Sequence, residues 1–146
     1  MESYSKLGGG AFYVETSTGN STIRISDSQV VNSKTELYGG FLYAKSSTGS
    51  TTSCARLLLD SGARLTASTA KKAGGGAYMA AVVSNEISVI DQAKVSGGES
   101  TEESGGIAYM AGKENYLLIY NGALASQCSA KRGGCFHMTG TLVNSI

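Results

Sequence analysis

The chain has 146 residues, of which 16% are charged, and a formal net charge of +1. It therefore has no electrostatic bias toward nucleic acid or an anionic membrane surface. It holds 20 Gly and no Pro, but 41% of its residues are apolar, enough for one ordered domain rather than a disordered tract. No apolar run is long enough to cross a membrane as a helix.

The N-terminal Met1-Glu2-Ser3-Tyr4-Ser5-Lys6 has an early acid and no apolar centre, so it does not read as a signal peptide. The first structured element opens at Gly9-Gly10-Ala11-Phe12-Tyr13-Val14. The same pattern returns as Gly39-Gly40-Phe41-Leu42-Tyr43-Ala44, Gly75-Gly76-Ala77-Tyr78-Met79-Ala80, Gly105-Gly106-Ile107-Ala108-Tyr109-Met110 and Gly133-Gly134-Cys135-Phe136-His137-Met138. Each copy predicts a strand entered through a glycine corner.

After the first copy, a polar loop over residues 15–22 leads to Ile23-Arg24-Ile25, which alternates as a half-buried strand should. That strand ends at Asp27-Ser28, and Gln29-Val30-Val31-Asn32 follows as a third strand. The second unit repeats this with Leu57-Leu58-Leu59, Asp60-Ser61 and Ala63-Arg64-Leu65. The third gives Ile87-Ser88-Val89-Ile90, Asp91 and Ala93-Lys94-Val95, then a Gly- and Glu-rich segment over 96–104 that reads as a solvated loop. The fourth gives Leu117-Leu118-Ile119-Tyr120, Asn121 and Ala123-Leu124-Ala125. The fifth reaches Thr141-Leu142-Val143-Asn144-Ser145.

Two features thus share one period of about thirty residues, with three strands per unit and no helical pattern. That is the signature of a solenoid. The expected fold is all-β: a single right-handed parallel β-helix domain spanning 1–146. Its coils start near 9, 39, 75, 105 and 133, giving about four complete coils and a partial fifth in three sheets. At ~4.8 Å per coil it stands ~20–25 Å tall.

Side chains alternate between faces in a strand. In the glycine-pair strand the more apolar set goes inside: Phe12/Val14, Leu42/Ala44, Tyr78/Ala80, Ala108/Met110 and Phe136/Met138. The set with hydroxyls and an imidazole goes outside, because those groups need partners if buried. This leaves an outward stripe of Tyr13, Tyr43, Met79, Tyr109 and His137, able to meet glycan rings or another protein. Asp27, Asp60, Asp91, Asn121 and Asn144 read as a turn ladder, since Asp and Asn tolerate left-handed backbone and bond nearby amides. One carboxylate per coil is too few oxygens for a calcium site.

No cofactor or metal is expected: His137 is the one histidine, and no Cys-x-x-Cys occurs. Cys54, Cys128 and Cys135 read as small space-fillers, and their odd number leaves at least one unpaired. Asn20-Ser21-Thr22 is a glycosylation sequon in an expected loop.

The repeated glycine pair followed by apolar and aromatic positions resembles the pectin-lyase-like β-helix passengers of bacterial polymorphic outer-membrane proteins. It resembles still more the repeats of large ciliate surface proteins, best at Asp27 to Ser33 and Gly39 to Ala44. The resemblance implies an extracellular or cell-surface structural and adhesive role. With no capping helix at either end, the expectation is end-to-end self-association into a filament, or neighbouring solenoid coils, with glycan or cell-surface protein as further partners. Neither nucleic acid nor membrane insertion is expected. The alternative is a degenerate polysaccharide lyase or hydrolase. Such an enzyme needs paired acids on one sheet, and no predicted strand carries such a pair.

Overall fold

In the computed structural model, which describes residues 3–140 and 143–145, the chain is all β and winds as a parallel solenoid of about five turns. The first coil is β1 (Ser3–Ser5), β2 (Phe12–Thr16), β3 (Gly19–Ser26) and β4 (Gln29–Val31). The second is β5 (Ser33–Thr35), β6 (Leu42–Ser46), β7 (Ser53–Asp60) and β8 (Arg64–Thr66). The third is β9 (Thr69–Ala70), β10 (Ala77–Ala80), β11 (Ser84–Val89) and β12 (Lys94–Ser96). The fourth is β13 (Glu99–Ser104), β14 (Ala108–Ala111), β15 (Glu114–Ile119) and β16 (Leu124–Ser126). The fifth holds β17 (Ser129–Arg132), β18 (Phe136–Thr139) and β19 (Val143–Ser145). Thr141 and Leu142, expected to open that last strand, lie outside the described residues.

Equivalent strands of successive coils pair in parallel, so the wall is four sheets rather than the three expected. The additional sheet is β1-β5-β9-β13-β17. It includes β13, in the segment expected to be a solvated loop. Its inward side chains are small hydroxyls: Ser33, Thr35, Ser68, Ser100 and Ser104 are all buried at or beside this sheet. Ser100 Oγ donates to the Lys72 carbonyl, as a buried hydroxyl should, whereas Ser68 Oγ has no partner among the described residues. A strand whose buried face is Ser and Thr has no apolar alternation to betray it.

The other three sheets supply the apolar filling. Leu42, Ala44, Ala77, Met79, Ala108 and Met110 point inward from the second sheet, and Leu57, Leu59, Ile87, Val89 and Leu117 from the third. Leu65 and Val95 close the fourth side. The run Leu57-Leu58-Leu59 resolves simply: Leu57 and Leu59 are buried, and Leu58 faces out.

The third glycine corner corrects the expected register. Gly74-Gly75-Gly76 offers two glycine pairs, and the chain uses Gly74-Gly75. Ala77 pairs with Leu42 and Ala108, Tyr78 with Tyr43 and Tyr109, and Met79 with Ala44 and Met110. Met79 is therefore fully buried and not part of the outward stripe, while Tyr78 is outward and not in the tube. The physical reason is the phenol. This register lets its hydroxyl reach water and gives the tube a thioether that needs no hydrogen-bond partner. The corner also requires glycine: Gly74 has φ +65°, and a Cβ there would lie 2.1 Å from the Ala77 carbonyl oxygen. Phe41 and Ile107, expected outside, are buried too. They sit at the corner just before their strands begin, where two-residue alternation does not hold.

The turn after the third sheet is left-handed at Asp27 (φ 45°), Ser61 (φ 51°), Asp91 (φ 52°) and Asn121 (φ 59°). Asp60 stands one residue early, level with Ser26. Asn144 is not at this turn at all: it pairs with Asn115. Of the five expected rungs, Asp27, Asp91 and Asn121 are in place. The side chains of the last two are hydrogen bonded, Asn121 Nδ2 to Asp91 Oδ1.

Asn115 belongs to a ladder that sequence reading missed. Asn85 and Asn115 are fully buried where the second sheet turns into the third. Asn85 Nδ2 donates to Asn115 Oδ1 at 3.0 Å, and Asn85 Oδ1 accepts from the Ala81 amide at 2.9 Å. Asn115 Nδ2 reaches the Thr139 carbonyl at 3.1 Å. In the lower coils hydroxyls serve this corner: Ser46 and Ser53 accept from the Val82 amide at 2.9 and 3.2 Å. These polar pins fix how the second sheet sits on the third.

Candidate functional site

The most organised surface feature is a row of rings on the second sheet. Parallel register brings Tyr13, Tyr43, Tyr78, Tyr109 and His137 into line, one per coil. Neighbouring centroids are 5.4, 5.3, 5.1 and 5.4 Å apart. Those spacings follow from the ~4.8 Å strand separation. Four of the five rings, Tyr13, Tyr43, Tyr109 and His137, are residues that the sequence placed outward. Tyr78 replaces Met79 and makes the row continuous.

The row changes character along its length. Tyr13–Tyr43 and Tyr43–Tyr78 meet edge to face, at 68° and 63°. Tyr78–Tyr109 and Tyr109–His137 are stacked, at 13° and 15°. Tyr38, on the loop before the second corner, adds a sixth ring, 4.6 Å from Tyr78 and 5.8 Å from Tyr43. Sequence reading missed Tyr38, although its position just before Gly39 puts it beside the row. Gly8 makes room at the same level: a Cβ there would lie 2.5 Å from the Tyr43 ring.

Two ammonium groups lie over ring faces, Lys45 Nζ 5.9 Å from the Tyr13 centroid and Lys72 Nζ 5.6 Å from that of Tyr38. Lys45 also pairs with Glu15 at 3.5 Å, and the Tyr13 hydroxyl donates to Glu15 at 2.9 Å. That hydrogen bond, helped by Lys45, holds the Glu15 carboxyl below its ordinary pKa. Burial pushes the Tyr78 phenol up to about 12, with its neighbours Tyr109, Tyr43 and Tyr38 and the charge of Glu103 adding to the effect. Burial raises Tyr43 as well, against the pull of Lys45. Both remain neutral O–H donors at physiological pH.

The remaining polar groups are dispersed. Arg24 holds Asp60 through Nε and Nη2, both at 2.7 Å, and Arg56 pairs with Glu86 at 2.9 Å. Both pairs lie on the third sheet. Among the described residues no three His, Cys, Asp or Glu side chains gather as a metal site. Asn20 lies in β3, level with Cys54, and is exposed there; it is not in a loop. Cys128 and Cys135 form a disulfide with Cα atoms 5.0 Å apart, so two of the three cysteines are paired rather than merely packed. Cys54 is free.

The wall's inner lining and outer row are therefore two products of one register. No family model matches the chain, and comparison with curated proteins and with solved structures returns no significant match.

Proposed function

We propose that the chain is a structural and adhesive repeat module, using the aromatic row as its contact face toward glycan or protein and its open ends for stacking onto further coils. The row carries this reading. Aligned tyrosines offer large contact area at low conformational cost, and nothing in the fold requires five successive coils to place a ring at the same outward position.

The ends support the stacking. Among the described residues each sheet ends on both sides in a strand paired along one edge only, and such free edges invite further pairing. Among the described residues the exposed large apolar side chains lie in the first coil (Tyr4, Leu7, Phe12 and Tyr13) and the fourth (Leu118, Ile119, Tyr120 and Leu124). A head-to-tail contact of this kind does not close and yields a filament or a longer solenoid. The Cys128–Cys135 bond and the exposed Asn20 sequon fit an extracellular or surface setting, where disulfides persist. The β-solenoid fold keeps open the likeness to polymorphic outer-membrane passengers and ciliate surface repeats that the glycine-pair pattern raised.

Bead adhesion tests the face. Beads coated with the protein should adhere to cell surfaces, and a Tyr43→Ser/Tyr78→Ser/Tyr109→Ser variant should lose most of that adhesion. Equal adhesion by both would refute the role of the row. Sedimentation velocity tests the ends: a monomer at every concentration would refute stacking.

A further inference from the structure

Resting on the reading of the row as a binding face, we infer that it recognises an extended acidic polypeptide segment, through ring edges and phenol hydroxyls. It is not a platform on which sugar rings stack.

Where the rings stack, and where a lysine lies over them, their faces are already occupied. Tyr78, Tyr109 and His137 lie nearly parallel and cover one another. Tyr38 covers part of Tyr43 at 28°. Lys45 stands over Tyr13 and Lys72 over Tyr38. A pyranose that stacks needs a free aromatic face turned to solvent. What the stacked rings turn outward is their edges, the positive rim of each quadrupole, and the tyrosines add their hydroxyls.

Those hydroxyls are donors in need of acceptors. Tyr13 and Tyr109 are engaged with Glu15 and Thr139. The hydroxyls of Tyr38, Tyr43 and Tyr78 make no hydrogen bond among the described residues. Lys72 makes no ion pair among them either. Glu15 is committed to Tyr13 and Lys45, and Glu103 is the other acid on this margin. The surface is thus rich in donors, and carboxylates and peptide carbonyls complement it.

Size and shape select the form of the partner. The row runs four coil steps, about 20 Å, which six extended residues span. It is one ring wide, so the area it offers falls well below the ~800 Å² per partner of a stable protein–protein interface. A second copy docked on this face alone would not hold, but an extended segment needs no more. The next outward positions along β10 and β14 are Ala80 and Ala111. These small side chains leave room for a chain to lie beside the ring edges.

Fluorescence anisotropy with a labelled eight-residue peptide alternating Glu and Ser tests the inference on the whole chain. The peptide should bind, and Tyr78→Phe, which keeps the ring and removes the hydroxyl, should weaken binding by roughly tenfold. Lys72→Gln should weaken it too. A Lys/Ser peptide and an oligogalacturonate should not compete. Binding of the oligogalacturonate or a neutral gluco-oligosaccharide, weakened by Tyr43→Ser while the acidic peptide stays unbound, overturns the inference and leaves the row as a contact face. If no class of ligand binds and the triple tyrosine variant adheres like the parent, the face and the inference fall together. Circular dichroism confirms that each variant is folded.

Discussion

Replacing Asn85 tests whether the buried amide ladder holds the corner between the second and third sheets. Asn85→Ala removes the acceptor of the Ala81 amide and the donor to Asn115 Oδ1, at residues that are essentially inaccessible to water. Each buried group left without its partner costs about 1–3 kcal/mol, so the variant should lose about 3–4 kcal/mol. For a chain of this length that lowers Tm by roughly 8–12 °C. Asn85→Asp separates hydrogen bonding from volume. It keeps the Ala81 contact but sets an oxygen against Asn115 Oδ1. Burial of the new carboxylate raises its folded pKa above the unfolded value. The sign follows: the variant is penalised most at neutral pH, and the penalty shrinks as pH falls through that raised pKa, where a protonated Asp can again donate. Thermal unfolding followed by circular dichroism at pH 7 and pH 4 reads both effects. A fall of under ~2 °C for Asn85→Ala, or an Asn85→Asp penalty independent of pH, would refute the ladder as a structural pin.

Three further outcomes are expected. Met79→Ala should cost about 2–5 kcal/mol in urea unfolding and Tyr78→Ser markedly less; the reverse order would mean that the third corner uses Gly75-Gly76. The neighbouring Ser26 hydroxyl and the Arg24 pair hold the Asp60 carboxyl below its ordinary value, against the opposing effect of burial. Asp60 therefore contributes stability above the unfolded carboxylate pKa, lost as pH falls through its lower folded value, and Asp60→Asn should flatten the acid limb of a pH–stability curve measured by urea titration. The Cys128–Cys135 bond closes a loop that contains Lys131 and Arg132. Chain-entropy arithmetic gives it about 2.5 kcal/mol, so reduction should speed tryptic cleavage at those residues while sites in the middle coils stay protected; unchanged cleavage would count against the bond.

The solenoid was legible because two unrelated signals, glycine corners and strand-ending Asp or Asn, kept step along the chain. Tyr13, Tyr43 and Tyr109 were legible on the outer face because alternation puts groups with hydroxyls opposite the aliphatic set; Tyr78 and Tyr38 were not. The rest failed for specific reasons. Gly74-Gly75-Gly76 fits two registers, and the choice rests on keeping the Tyr78 phenol at water and burying the Met79 thioether, which the glycine pattern alone does not show. Phe41 was misplaced because alternation was extended across a corner. The additional sheet stayed hidden because Ser33, Thr35 and Ser100 bury hydroxyls rather than methyl groups. Asp60 and Asn144 misled because an Asp or Asn at nearly the right spacing looks like a turn residue until pairing shows otherwise. The amide ladder carried no pattern at all, since Asn85 and Asn115 stand where the lower coils have Ser21 and Ala55.

The one-coil register also makes height a heritable quantity. Each coil adds one ring to the row and ~4.8 Å to the wall, and it contacts only its neighbours. Duplicating a whole coil would extend the outer row by a step without changing any existing contact. Removing a single residue inside a strand would instead turn the inward side chains in the rest of that strand to the outside. Variation in such a chain is therefore tolerated in whole turns, and a longer or shorter version remains the same surface at a different length.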